Sequence, residues 1–405
     1  MQPDPPEPHR LQGAGRADCV VIGAGFTGLA AARQVASLRP DWRVAVLERD
    51  RVAAGASGQS MGVIGRVAAR KQRRGAGNDA LSRLIAAGHD GLAEAAARDE
   101  NRCGWSAVPR FDVGSDARSP WVRSCSQARL ACEAIDAATV RAMTGSAAGA
   151  GLRTETSVVQ PVGLLRALAN ALPENVDLFE CSEVVAIRRA DAIEVETRDA
   201  ALRTDHLLVA TNFSAELPGL RRRPSWPVHT YSSLSHPVDE SRRARLGEAR
   251  QWVLVTPGRG GFTMRCTAEG RIGIRHGFHY SPRRVPAGGR LERARRLHQS
   301  LLAACLPELE GLEVEHTWSG SISTTLTGAP WFGELAPGIS AAGAYGGNGI
   351  ALGTGLGGAL ADHVLGRETA ATRDARSLPR PGWLPPGAGR AHTLLMGFRD
   401  KQRSL

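Results

Sequence analysis

Apolar and polar positions alternate with two different periods over the first fifty residues of the chain. Cys19–Ile22 is a short run of apolar, mostly β-branched residues, which is typical of a buried parallel strand. Residues 26–38 repeat apolar positions at helical spacing, and Pro40 ends that pattern. Residues 43–47 form a second apolar run. This order predicts a β-α-β unit, the start of an α/β fold with a parallel sheet.

Further along the chain, the same periods predict elements of a second kind of architecture. Helical patterns occupy residues 78–98, 126–134, 160–169 and 290–305. Strand patterns occupy residues 183–188, 192–197, 206–211, 228–234, 251–255, 262–266 and 271–275, of which the last four predict an antiparallel sheet. A glycine-rich apolar unit follows at residues 339–365. Segments expected to join a parallel sheet therefore recur along the chain, separated by segments expected to form an antiparallel sheet. This order predicts two lobes that are interleaved in sequence.

The turn between the first strand and the first helix has the spacing of a dinucleotide-binding site. Gly23, Gly25 and Gly28 form a G-x-G-x-x-G motif, and Glu48 stands at the end of the second strand. The glycines permit a tight turn and a close approach of backbone to a pyrophosphate, and the helix N-terminus offers free N–H groups. Glu48 is placed to accept hydrogen bonds from ribose hydroxyls. The spacing predicts a bound dinucleotide.

Composition and charge narrow the class of protein. The chain has 405 residues, 42% of them hydrophobic, and no run of 18 apolar residues, so we expect no membrane span. The net charge of +11 comes almost entirely from arginine without interleaved aromatic residues, which argues against a nucleic-acid partner. Seven scattered cysteines without a C-x-x-C pair favour a reduced, cytoplasmic protein with no bound metal. The Pro-rich residues 1–16 are expected to be a disordered lead-in.

Several further segments match one pattern spread from Asp18 to about Arg399. They are Gly55–Gly58, Gln160–Ala169, Val184 and Val185, Val209–Asn212, residues 227–237, Trp318–Gly333 and Gly343–Leu352. Through them the chain resembles the D-amino-acid-oxidase-type superfamily of FAD-dependent amine and amino-acid oxidoreductases, nearest the gamma-glutamylputrescine oxidoreductase branch. In that family the last glycine cluster precedes a helix directed at the flavin ring. A helix start of this kind stabilises the negative charge of a reduced flavin.

The resemblance implies the fold, the cofactor and its binding residues. A Rossmann-like FAD-binding domain would comprise residues 17–75, 151–215 and 318–370, and a substrate domain with a mostly antiparallel sheet plus helices would comprise residues 76–150 and 216–317. Residues 371–405 would be a surface tail. The implied FAD-binding residues are Gly23, Gly25, Phe26, Thr27, Gly28, Glu48, Arg49, Ala56, Ser57, Val184, Val185, Ala210, Thr211, Gly346, Gly347, Asn348, Gly349 and Ile350. No cysteine stands where relatives attach flavin, so we expect non-covalent FAD.

The resemblance also implies oxidation of a C–N bond in a secondary amine or N-substituted amino compound. The substrate would transfer hydride from its α-carbon to flavin N5, water would hydrolyse the imine, and oxygen or another acceptor would reoxidise the flavin. Two departures bear on the substrate. The carboxylate-binding arginine that follows Trp-x-Gly in amino-acid oxidases is absent after Trp318-Ser319-Gly320, and Gln59–Gly62 replaces the usual RNGG loop.

Candidates for the substrate site come from the predicted antiparallel sheet and the two flavin-adjacent segments. His229 and Tyr231 share one face of a strand and are expected to line the cavity. Arg265 and Arg275, on neighbouring strands, are candidates to pair with an anionic group. His276, which follows Arg275, is a further candidate for the substrate site. Met61 and Tyr345 lie in the two flavin-adjacent segments and are the expected non-glycine neighbours of the flavin ring.

Two other functions stay open from the sequence. One is the tRNA-modifying oxidase of the same superfamily, which the basic charge allows. The other is a non-catalytic flavoprotein subunit that binds FAD as structure or passes electrons, which the altered Gln59–Gly62 loop allows.

Overall fold

The structure is a computed structural model that describes residues 7–67, 77–116, 122, 125–126, 128–212, 217, 219–220, 225–256, 261–280, 286, 288–380 and 391. Its strands are β1 (Gly13–Arg16), β2 (Cys19–Ile22), β3 (Val44–Leu47), β4 (Val63–Ile64), β5 (Ser106–Val113), β6 (Glu133–Ile135), β7 (Gly151–Val158), β8 (Val176–Phe179), β9 (Ala186–Arg189), β10 (Ile193–Glu196), β11 (Ala200–Thr204), β12 (His206–Asn212), β13 (Ser225–Ser235), β14 (Trp252–Val255), β15 (Thr263–Cys266), β16 (Ile272–Tyr280), β17 (Val314–Thr325), β18 (Trp331–Ala336) and β19 (Ile339–Gly343). Its helices are α1 (Phe26–Leu38), α2 (Gly77–Arg98), α3 (Ala137–Thr144), α4 (Pro161–Asn170), α5 (Arg290–Cys305), α6 (Ala351–Val364) and α7 (Ala370–Ser377), with 3-10 helices at Glu240–Leu246 and Pro307–Leu309. No helix among these residues is long and apolar enough to cross a membrane.

The predicted β-α-β unit forms the middle of a six-stranded sheet with the order β18-β19-β12-β2-β3-β8. The five strands from β19 to β8 run parallel, and β18 is antiparallel at the edge. The four strand residues of β2 and of β3 are all buried, as the apolar runs predicted. Parallel strands end at one edge, so the chain following β2, β3, β12 and β19 meets there.

Helices α1, α2 and α6 cover one side of this sheet. Helix α6 packs against both α1 and α2 so closely that backbone atoms of the paired helices come into contact. A Cβ at Gly357 would overlap the carbonyl oxygen of Thr27, and a Cβ at Gly355 would overlap that of Leu84. A Cβ at Gly88 would likewise overlap the carbonyl oxygen of Ala351. The three helices can approach this closely only because the contact positions lack side chains.

The second large sheet has nine strands. Eight of them follow the order β17-β13-β16-β15-β14-β5-β7-β4, and β6 pairs with β7 beside this path. The antiparallel pairing predicted for β13 to β16 is confirmed. The sheet has two distinct faces. On the outer face, Ile272 and Ile274 share an apolar core with Leu302 of α5. We call the opposite side, where Trp318 and Gly273 meet the loop Gln59–Gly62, the inner face.

The described ends of the chain differ from the predicted lead-in and tail. Residues 13–16, expected to be disordered, form β1 and pair in parallel with β11, because their backbone completes the edge of a four-stranded sheet. Residues 371–377, placed in a surface tail, belong to α7, which follows a Thr369 capping box and buries Ala375. Residues 1–6 of the lead-in and most of residues 381–405 of the tail lie outside the described part of the chain.

Three interior predictions also require correction. Helix α2, expected in the substrate domain, packs in the same core as α1 and α6 through Leu84 and Ile85. Strand β7 and residues 318–325 of β17, expected in the FAD-binding domain, belong to the nine-stranded sheet. The helix expected over residues 126–134 is wrong at its end, where Glu133–Ile135 pairs with β7 as a strand.

Candidate functional site

The turn after β2 holds its glycines in the geometry that the motif predicted. Gly23 has a φ of 102°, and a Cβ at this residue would lie 3.0 Å from the carbonyl oxygen of Ala210 at the end of β12. A Cβ at Gly28 would overlap the carbonyl oxygen of Gly23, so the helix can rest on the strand only with glycine there. Phe26 is 2% exposed and belongs to the core. The Phe26 side chain is therefore not available to a ligand, whereas its backbone N–H lies at the helix start.

The N-terminus of α1 has free donors and no side-chain cap. The Ncap residue is Gly25, and among the described residues the N–H groups of Gly25, Phe26 and Thr27 have no hydrogen-bond partner. By contrast, Asp136 caps α3 and Gln160 caps α4. Free N–H groups and the helix dipole together make such an end an anion-binding site.

Glu48 follows β3 beside this turn and is held by backbone donors. Its carboxylate accepts a hydrogen bond from the N–H of Ala24 at 2.8 Å and another from the N–H of Asp50 at 3.1 Å. Burial raises the pKa of Glu48, and the two backbone hydrogen bonds oppose that shift. Arg49 points its guanidinium to Asp50 at 3.2 Å. The fixed acid is placed to accept from the hydroxyls of a ribose.

The loop that follows Glu48 lies against the glycine turn. A Cβ at Gly25 would lie 2.8 Å from Oγ of Ser57, and Ala56 precedes that serine in the same turn. Further on, Trp318 of β17 donates its indole N–H to the carbonyl oxygen of Gln59 at 2.8 Å. A Cβ at Gly273 would lie 2.5 Å from Cε of Met61. The loop therefore lies between the glycine turn and the inner face of the nine-stranded sheet.

The second glycine cluster leads into α6 in a similar way. Gly346 and Gly347 have φ of 63° and 108°, and no atom lies closer than 3.7 Å to a Cβ built on either of them. The N–H groups of Gly347, Gly349 and Ile350 have no partner among the described residues, and α6 has no side-chain cap. The carbonyl oxygen of Asn348 accepts from the N–H of Leu352 at 3.3 Å. The cluster presents open space and free donors at a helix start.

One tyrosine joins the two helix starts. The hydroxyl groups of Tyr345 and Thr27 lie 2.7 Å apart, and the Tyr345 ring covers Gly349 and Gly353. Burial raises the pKa of Tyr345, so the hydroxyl stays protonated. Its hydrogen bond to Thr27 makes Tyr345 a link between α1 and the α6 start.

The remaining predicted FAD contacts lie near the ends of parallel strands. Ala210 and Thr211 are in β12, and Oγ1 of Thr211 is buried without a hydrogen-bond partner among the described residues. Val184 is buried, whereas Val185 is 38% exposed and donates its N–H to the carbonyl oxygen of Glu196. The orphaned Thr211 hydroxyl, the open glycine cradles and the fixed acid fit a dinucleotide cofactor at this edge.

His229 and Tyr231 lie on the outer face of the sheet, opposite the loop Gln59–Gly62 that was expected to border the substrate cavity. His229 is fully buried and stacks on His279, and Tyr231 hydrogen-bonds Nδ1 of His279 at 2.6 Å. The same face carries Ser233, which bonds Nδ1 of His298 in α5 at 2.7 Å. The alternation was predicted correctly, but a period of two does not say which face of a sheet meets the cofactor lobe.

Arg265 lies on the inner face, where its guanidinium forms hydrogen bonds to backbone carbonyl oxygens. Its Nη1 donates to the carbonyl oxygens of Met61 at 2.6 Å, Val159 at 2.9 Å and Gly62 at 3.3 Å. Burial lowers the pKa of Arg265 to about 10. The residue ties the flavin-adjacent loop to the end of β7. Nothing in the sequence near Arg265 indicates these partners, which are 106 or more positions away.

Arg275, on the neighbouring strand β16, lies on the same face as Arg265. It pairs in register with Thr263 of β15 and Ser232 of β13. It has no hydrogen bond or ion pair with any described residue, and burial lowers its pKa. His276 points the other way and meets the carbonyl oxygen of Gly261 at 3.3 Å. Of the predicted substrate residues, Arg275 therefore keeps a free polar group on the inner face.

The edge of the six-stranded sheet thus has the glycine turns, free N–H groups and fixed acid that suit a dinucleotide. The family model described as FAD dependent oxidoreductase (DAO) matches residues 18–363. The chain belongs to this family of FAD-dependent enzymes.

Curated relatives and solved structures agree with that assignment. A probable oxidoreductase OrdL of Rhizobium meliloti (strain 1021) is 25% identical over 394 residues, 89% of this chain and 85% of that protein. Gamma-glutamylputrescine oxidoreductase of Escherichia coli (strain K12) is 25% identical over 368 residues, 86% of this chain and 83% of that protein. Glycine oxidase from Geobacillus kaustophilus has a similar fold, with a TM-score of 0.71, 23% identity, and coverage of 88% of this chain and 96% of that one.

Proposed function

We propose that the protein oxidises a C–N bond of an amino compound with FAD held non-covalently. The observation that carries the proposal is the pair of uncapped, glycine-led helix starts, α1 and α6, joined through Thr27 and Tyr345. FAD has a pyrophosphate and a flavin that gains negative charge on reduction, and a helix N-terminus suits each of them. The similarity to gamma-glutamylputrescine oxidoreductase supports an amino compound as the substrate.

The chain's own residues would divide the work of binding. The N–H groups of Gly25 to Thr27 would bind the pyrophosphate, and Glu48 would accept from the ribose hydroxyls. The N–H groups of Gly347, Gly349 and Ile350 would face the pyrimidine side of the flavin. When bound, FAD supplies the oxidant, taking a hydride from the carbon of the C–N bond so that water can hydrolyse the resulting imine.

Non-covalent attachment is supported by the position of the cysteines. None of the seven cysteines lies in the loop Gly55–Gly62 or in the segment Gly343–Ile350. Cys266 and Cys305 pack with the outer-face core, away from the inner face. Acid precipitation should therefore release the flavin into the supernatant, and flavin that stays with the precipitate would contradict this part of the proposal.

An absorbance scan followed by an anaerobic screen of amines tests the proposed function. The purified protein should show flavin bands, and a secondary amine or N-substituted amino acid should bleach them. Bands that no amine bleaches would favour a non-catalytic flavoprotein, and retention of tRNA that salt abolishes would favour the RNA-modifying oxidase. Gly25→Val should lose the flavin, because its side chain would meet Ser57. Gly55→Ala, which has open space, is the matched control.

A further inference from the structure

Two arginines on adjacent strands of the inner face, Arg265 and Arg275, are in different states. The Arg265 guanidinium donates to three backbone carbonyls, whereas Arg275, on the adjacent strand, meets no hydrogen-bond acceptor or carboxylate among the described residues. Protein atoms enclose Arg275 closely enough to lower its pKa, yet part of the residue remains accessible. Its cation is therefore largely enclosed by protein and has no counter-charge among the described residues.

The neighbours of Arg275 place this cation beside the loop Gln59–Gly62. Its cross-strand partners Ser232 and Thr263 share its face, and Ser232 is in turn paired with Trp318. Trp318 binds the loop at Gln59. The inner face thus carries a charged group, two hydroxyls and an indole next to the segment expected to line the flavin.

An uncompensated cation in such a place is costly. Removing a charge from water costs several kcal/mol unless an opposite charge or hydrogen bonds replace the solvent. Burial is the cause of the Arg275 pKa shift, and no carboxylate among the described residues opposes it. Arg271, four residues earlier, has such a partner in Glu315. A guanidinium binds a carboxylate with two parallel hydrogen bonds, so this anion suits the free group best.

We propose that Arg275 binds a carboxylate of the substrate and makes the enzyme specific for amino compounds that carry one. This inference rests on the proposed function, since the amine of the same molecule would lie at the flavin. It also accounts for Ser321 and Ile322 after Trp318-Ser319-Gly320: the cation comes from β16 instead of β17. The substrate is then an N-substituted amino acid or an amine with a distal carboxylate.

Matched substrates test the assignment by kinetics. Each secondary amine with a carboxylate is compared with its primary amide, for example N-methylglycine with N-methylglycinamide and 4-(methylamino)butanoate with its amide. The wild type should prefer the acids. Arg275→Gln should lower kcat/KM for them by about 30-fold or more, mainly through KM, with little change for the amides. Arg275→Lys should retain part of the preference. Arg296→Gln, an exposed change of equal charge on α5, should behave as the wild type.

A binding measurement separates this inference from the proposed function. Straight-chain carboxylates from acetate to hexanoate should raise the thermal midpoint of the FAD-loaded wild type more than their amides do, and this difference should vanish in Arg275→Gln. If no amine bleaches the flavin but this pattern holds, the proposed function fails and the carboxylate site stands. If amines are oxidised with equal kcat/KM for acid and amide, or if Arg275→Gln keeps the preference, the inference is overturned. If Arg275→Gln does not fold, the inference is judged from the preference for acids over amides in the wild type and in Arg275→Lys.

Discussion

The hydroxyl of Tyr345 lies 2.7 Å from the hydroxyl of Thr27, although 318 positions separate the two residues in sequence. Thr27 stands in the first turn of α1, and Tyr345 precedes the glycines that lead into α6. The two helix starts expected to hold opposite parts of FAD are thus fixed relative to each other by one hydrogen bond and by glycine contacts.

Removing either hydroxyl should weaken this link. Thr27→Val and Tyr345→Phe should each lower the free energy of unfolding by about 1 kcal/mol, since each leaves one buried partner unsatisfied. The double variant should cost less than the sum of the two, and urea denaturation of all four proteins measures the difference. Losses that add within about 0.3 kcal/mol would show that the two hydroxyls do not interact.

Adjacent glycines of α6 should respond in opposite directions to alanine. Gly357→Ala should destabilise by about 2 kcal/mol or more, because its Cβ would overlap the carbonyl oxygen of Thr27. Gly358→Ala meets open space and should stabilise by about 0.5–1 kcal/mol through helix propensity. Thermal and urea unfolding of the pair provide the test, and equal effects would contradict the close approach of α1 and α6.

Arg265 should behave as a structural residue and Arg275 as a substrate residue. Arg265→Gln leaves the carbonyl oxygens of Met61, Gly62 and Val159 without their donor, so it should lower the free energy of unfolding by about 2–3 kcal/mol and weaken FAD binding. Arg265→Lys should recover part of both. The preference for acid over amide substrates should be unchanged in any Arg265 variant that retains flavin; loss of that preference alone would assign Arg265 to the substrate.

Buried histidines should make the stability depend on pH. Burial lowers the pKa of His298 to about 4 from 6.5. The unfolded chain therefore takes up a proton at higher pH than the folded chain does, so stability should be greatest above about pH 6.5 and fall as the pH drops towards 4. Urea midpoints between about pH 7.5 and pH 4.5 measure this fall.

The control for this prediction is His298→Gln, which removes the titrating group next to Ser233. The variant should lose stability at neutral pH but show a shallower decline in acid. A decline as steep as that of the wild type would assign the pH dependence to other groups, among them His279, whose pKa burial also lowers to about 4.

Local patterns predicted the strand and helix around the glycine turn well, but not which face of the antiparallel sheet each residue occupies. The strand–glycine–helix order at Cys19–Leu38 is encoded by neighbouring residues, so its bounds matched the structure closely. His229 and Tyr231 were placed in the cavity because they alternate, but the face that a strand buries depends on packing partners far away in sequence. Arg265 and Arg275 are alike in sequence, and only the fold brings the Met61 carbonyl to one of them.

Other differences have a similar origin. Gly13–Arg16 has no strand pattern of its own and becomes a strand because β11 offers a free edge. Helix α2 was recognised by its periodicity, but its lobe was not, since its docking depends on Gly88 meeting the backbone of α6. A close helix contact at a glycine depends on the lack of a side chain, so the sequence shows no apolar residue at that position.

The glycine contacts between α1 and α6 also bear on how the protein is made. A ribosome completes α1 long before it reaches Ala351, so the first helix emerges without the surface that covers it. Its apolar positions, Leu29 and Val35 among them, must wait for most of translation or be shielded by other parts of the nascent chain. Completion of the cofactor cradle is therefore a late event in biogenesis, and nascent chains stalled before residue 351 should be unable to retain FAD.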